Sequence, residues 1–165
     1  MMAAVFFAYA VGHLALFLAA LTRLVRFRTL ATLPLVIVTL GLVYDNVMIA
    51  LGSSIGAGEQ LQQLSVPRYF LHAMATPLLM LAALGLVQRS GATWSRSPAA
   101  IFLLSALVLG MIATGFWSDM IMLHMEPETE DGLLTYTNVN SVPIAPIVTV
   151  AVLIAAGVVL WRRGG

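Results

Sequence analysis

Residues 30–52 read LATLPLVIVTLGLVYDNVMIALG, a run of 23 residues with a single charged side chain, Asp45. A helix rises about 1.5 Å per residue, so this run is long enough to cross a hydrocarbon core about 30 Å thick. A soluble helix sets one apolar stripe against a charged face, but here apolar residues occupy every face. Working outward from it, four further stretches have the same character: Met2–Thr22, Tyr69–Val87, Ala99–Ser118 and Pro143–Trp161. Lipid offers backbone groups no hydrogen-bond partner, so each stretch must satisfy its own as a helix. A transmembrane barrel needs short alternating strands, and these stretches show none. The expectation is an all-α fold, a single domain over residues 1–165 built as an integral membrane bundle of five transmembrane helices.

Composition points the same way. The 165 residues are 61% hydrophobic and 9% charged, with a mean hydropathy of +0.99, against about 45–50% and 25% in soluble domains. This balance excludes a soluble enzyme and a disordered chain. The absence of cysteine excludes a disulfide scaffold and thiol chemistry.

The eight basic residues are all arginine, and they are sorted. With five spans, Arg23, Arg26, Arg28, Arg89, Arg96, Arg162 and Arg163 share one side, and only Arg68 falls opposite. Positive residues remain cytoplasmic, which places the N-terminus outside and the C-terminus in the cytoplasm. The seven acids, Asp45, Glu59, Asp119, Glu126, Glu128, Glu130 and Asp131, all fall in the outer half. The first span is followed by arginines and lacks a positive leader, so it reads as a retained helix and not as a signal peptide. Arginine without lysine points to a GC-rich genome. A multi-pass protein of a bacterial inner membrane is expected.

Ionisable residues inside spans are functional candidates by default. Asp45 lies six residues before Leu51, roughly 9 Å inside the outer helix end at about 1.5 Å per residue. Arg68, His72 and Thr76 are spaced i, i+4, i+8 and share one helix face, and His72 falls at nearly the depth of Asp45. Pro67 suits a helix start. Pro77 removes a backbone bond and kinks the third span one turn below His72. Span one contributes Tyr9 and His13, and span four ends in Trp117 and Asp119. These residues predict an outward-opening cavity with Asp45, Asn46, Arg68, His72 and Asp119 at its mouth. Tyr9, His13, Thr76 and Trp117 would line its deeper part. A buried ion-pair network fixing helix register is the structural alternative.

The outer connections add two features. Glu59–Leu64 has leucines three residues apart and reads as a short interfacial helix. Met120, Met122, His124 and Met125 form a soft-ligand run of a kind that binds Cu(I), although methionine is also an ordinary apolar residue, and no metal is assigned. The acids from Glu126 to Asp131 read as a solvated loop.

The function expected from this pattern is a membrane-embedded enzyme using carboxylate and histidine acid–base chemistry on a lipophilic substrate. The preferred reaction is cyclisation or isomerisation of an isoprenoid-like lipid, terpene-cyclase-like in chemistry only. Asp45 would serve as acid, oriented by Asn46, with His72 or Asp119 as base and Tyr9, Tyr69 and Trp117 stabilising a cation. No cofactor is expected. The partners expected are membrane lipid or a lipophilic small molecule, with homo-oligomer formation open and no nucleic acid. Three alternatives remain: a proton-coupled transport or channel subunit, an outer-face copper or haem protein, and a non-catalytic subunit of a membrane complex.

Overall fold

The computed structural model describes residues 1–28 and 32–164. The start of the predicted second span, Leu30 and Ala31, lies outside these described residues. Six α-helices follow in order: α1 (Met2–Phe27), α2 (Leu33–Ile55), α3 (Glu59–Ala75), α4 (Leu78–Arg89), α5 (Pro98–Phe116) and α6 (Ile144–Gly164). The pair α3–α4 counts as one unit, Glu59–Arg89, and α5 is prolonged to Ile121. The described residues thus contain five helices long and apolar enough to cross a membrane.

Proline explains how the third unit divides. Pro77 has no N–H for the Ala73 carbonyl, so the α-helical ladder stops at Ala75 and resumes at Leu78. The junction is held by tighter bonds, Leu79 N–H to Thr76 O and Met80 N–H to Pro77 O, each 3.1 Å. Pro67 behaves differently from expectation. It lies inside α3, which runs unbroken from Glu59, so the interfacial piece and the span are one helix. Pro67 and Gln63, whose carbonyl loses its partner, are both exposed, which puts the missing bond on the open side.

The all-α expectation misses one element. The acidic segment expected as a solvated loop forms strand β1 (Met125–Glu130), paired antiparallel with β2 (Leu133–Asn138). Asp131 and Gly132 join the strands with φ of 51° and 77°, the doubly positive geometry of a tight two-residue hairpin turn. Pro127, without an N–H to donate, is accommodated because β1 is an edge.

α1 packs along α2, α3 packs on both α2 and α5, and α4 meets α6. The hairpin sits on the ends of α2 and α3, so one end of the bundle carries the hairpin and the other the arginine turns. Two glycines permit close approach. A methyl at Gly52 would overlap the Leu134 carbonyl oxygen, and one at Gly115 would lie 3.1 Å from Ala73 Cα. The first lets β2 rest directly on α2, and the second brings α5 against α3 beside His72. Outward faces are apolar: Phe102, Leu103, Leu109, Ile147 and Ile154 are all exposed.

Candidate functional site

The site begins with three consecutive residues of α2, Tyr44–Asn46, that divide between two neighbouring helices. Successive helical residues diverge by about 100°, so Tyr44 and Asp45 reach α3 while Asn46 turns to α1. The Tyr44 hydroxyl donates to Leu64 O at 2.8 Å. Asp45 Oδ1 accepts from Arg68 Nε at 2.6 Å, and the two side chains are only 16% and 14% exposed. One turn along α3, His72 Nε2 stands 3.9 Å from Asp45 Oδ2, and its Nδ1 lies 3.4 Å from Thr76 Oγ1. One carboxylate therefore faces an arginine through one oxygen and a histidine through the other.

Asp45, Arg68, Tyr69, His72 and Asp119 line a single cavity of about 260 Å3. Ala73 and Gly115 are also in its wall, and Pro143 and Pro146 lie on the side toward α6. Asp119 reaches it from a widened helical turn, Trp117–Ile121, closed by a 2.9 Å bond from Met122 N–H to Trp117 O. Such wide turns concentrate at functional positions. The same turn directs Trp117 outward, where it is 60% exposed.

The hairpin fixes this side of the cavity. The Tyr69 hydroxyl donates to Tyr136 O at 2.7 Å and accepts from Asn138 N–H at 2.8 Å. Buried Asn138 donates to Ser118 O at 3.0 Å and to Asp119 Oδ1 at 3.2 Å. Its own oxygen accepts from His124 and Asn140 N–H. At the other side of the hairpin, Ser53 Oγ donates to Gly132 O and accepts from Leu134 N–H, while Gly58 N–H donates to the Tyr136 hydroxyl. Tyr69 is thus a latch to the hairpin, and Asn138 holds Asp119.

Several expected members lie elsewhere. Asn46 is buried against α1, with Nδ2 2.6 Å from Leu42 O and 3.4 Å from His13 Nδ1. Tyr9 is largely exposed and meets Phe6 edge-on. Tyr9, His13, Asn46 and Trp117 therefore do not line the cavity, and Thr76 touches it only through His72. The cavity that is present lies between α2, α3, α5 and α6 and leaves these residues out. His124 is exposed and faces Glu126 at 3.5 Å, Met122 is exposed, and Met125 opens β1. Among the described residues no group of three or more His, Asp or Glu gathers at ligating distance.

Asn138, Ser118 and the Pro143–Pro146 wall carry no signal in the sequence, because long-range packing and not helical spacing joins them to the site. A second cavity of about 260 Å3 lies under the hairpin, with Arg68, Glu128, Glu130 and Asp131 among its walls. Arg68 thus stands between two cavities. A groove of about 410 Å3 between α4, α5 and α6 is lined only by apolar residues and Trp94.

No family model, curated protein or solved structure matches this chain. What the Asp45 cavity can do chemically follows from its geometry. It offers a carboxylate held by arginine, a histidine beside that carboxylate, and a second carboxylate across the space.

Proposed function

We propose that this chain is a membrane-embedded enzyme that moves protons on a lipophilic substrate in the cavity between Asp45, His72 and Asp119. The observation that carries this reading is the convergence of two carboxylates and a histidine, from α2, α3 and the turn after α5, on one cavity. Ionisable groups in apolar spans are costly, and their gathering around usable space favours chemistry over packing alone.

Asp45 already accepts a charge-assisted bond from Arg68, so it fits the role of counter-charge better than that of proton donor. It stabilises an imidazolium when His72 takes a proton, the part a buried aspartate plays beside a catalytic histidine. Asp119, positioned by Asn138, supplies the second proton-transfer group. A proton added at one carbon and another removed elsewhere leaves the substrate's composition unchanged and consumes no co-reactant. The reaction class is therefore isomerisation or cyclisation, with an isoprenoid-like lipid as the preferred substrate.

The arginine end lies in the cytoplasm by the positive-inside rule, which puts the cavity in the outer half of a bacterial inner membrane. The test uses membranes containing the full chain, incubated in deuterated water with total lipid extract. Mass spectrometry should find deuterium in non-exchangeable C–H positions of a lipid species. His72→Gln and Asp119→Asn, checked for folding by size-exclusion profile, should lower incorporation by about 10²–10⁴-fold, the usual worth of general acid–base catalysis. Equal incorporation in folded variants, or none with the wild type, would overturn the reading.

A further inference from the structure

At the opposite end of the bundle, Arg23 near the end of α1 and Arg89 at the end of α4 line one cavity of about 120 Å3. That is well above the ~10–15 Å3 needed for a single water. Thr32 adds a hydroxyl-bearing side chain to the wall, and Leu35, Ala82 and Leu86 supply apolar surface. We infer that this pocket binds the phosphate of an anionic phospholipid.

Charge comes first. All seven acids of the chain lie at the hairpin end or in the outer part of α2. Among the described residues neither Arg23 nor Arg89 has a carboxylate partner, the only arginine–carboxylate pair being Arg68 with Asp45. Two arginines from helices far apart in sequence thus line one concavity without an internal anion among the described residues. Guanidinium forks match phosphate oxygens in pairs.

The apolar wall then selects a lipid over a free anion. Leu35 and Leu86 are 38% and 50% exposed on the outward surface, so the pocket wall continues into the face the bundle shows to hydrocarbon. A headgroup phosphate seated between the arginines would run its glycerol and acyl carbons along that surface. A free phosphate gains nothing from it.

The site is remote from Asp45, and its test reads binding, so it stands or falls separately from the proposed enzyme activity. Full-length protein in neutral detergent is titrated with phosphatidylglycerol, phosphatidylcholine or inorganic phosphate, and retained lipid is read by native mass spectrometry. Phosphatidylglycerol should bind in preference to phosphatidylcholine, and inorganic phosphate should not displace it. R23Q/R89Q should weaken that binding about 10- to 100-fold, the range for lost hydrogen bonds to a charged group. R162Q/R163Q, which removes the same charge from the same end, should leave it intact. R23K/R89K guards against a folding defect, keeping the charge while losing the forks, and should bind more weakly than wild type. Equal losses in R23Q/R89Q and R162Q/R163Q would overturn the site in favour of diffuse attraction. Displacement by inorganic phosphate would overturn the lipid assignment, and absence of lipid preference would overturn both.

Discussion

A carboxylate near the middle of an apolar span costs about 2.5–3.5 kcal/mol on insertion scales. Asp45 offsets that cost with the Arg68 bond, and the two are inseparable in their effects. Asp45→Asn removes the one carboxylate that pairs with Arg68 among the described residues, and breaking a largely buried pair from one side costs about 3–5 kcal/mol. The variant should therefore unfold at markedly lower denaturant or temperature in detergent. Asp45→Leu combined with Arg68→Met should recover most of the loss, since an apolar replacement of both partners is often neutral. A single variant as stable as wild type would show that water or lipid headgroups already screen the pair. At this scale the sequence was informative where contacts follow helical spacing. Arg68 and His72, four residues apart, face Asp45 together. It was silent on Asn138, whose partners Ser118, Asp119 and His124 come from distant segments.

Among the elements, the hairpin does the most to shape the site. It bears on α2 at Gly52, where the Leu134 carbonyl comes close enough to exclude a side chain. Gly52→Ala should push Leu134 away and loosen the bonds of Ser53 to the hairpin. Hydrogen exchange at the β2 amides should then rise while exchange in α5 and α6 stays unchanged. Unaltered protection at Leu134 would show that β2 shifts without losing its seat. The sequence contained a signal for this element: Asp131-Gly132, followed by the strand-favouring Thr135, Tyr136 and Thr137. The density of carboxylates before it hid the pattern, because charge reads as solvation while an edge strand tolerates charge well. Helix limits failed at Pro67 for a related reason. A proline whose lost bond faces outward does not end a helix, whereas Pro77, at a fully buried position, does.

Across the whole molecule the five long apolar helices follow directly from hydropathy, since length and composition suffice for that inference. Charge is divided between two ends, with seven arginines at one and the acid-rich hairpin at the other. That division predicts a fixed orientation, and the lack of cysteine makes it simple to read. In an otherwise cysteine-free chain, Glu130→Cys on the hairpin should react with an impermeant maleimide in intact cells. Thr93→Cys, in the exposed turn between α4 and α5, should react only after lysis. The reverse pattern would place the cavity on the cytoplasmic side.

The anchoring of the hairpin also sets an order of assembly. Ser53 waits for Gly132 and Leu134, which follow it by 79 and 81 residues, and Tyr69 waits for Tyr136 and Asn138. During synthesis α1, α2 and α3 are complete well before those partners exist. Long-range closures come late because chain entropy opposes them until the ends are in place. The Asp45–Arg68 pair can therefore form on the nascent chain, whereas the wall carrying Asp119 is assembled only after the hairpin has been made. A ribosome stalled before residue 133 would leave a helical trunk with half a cavity.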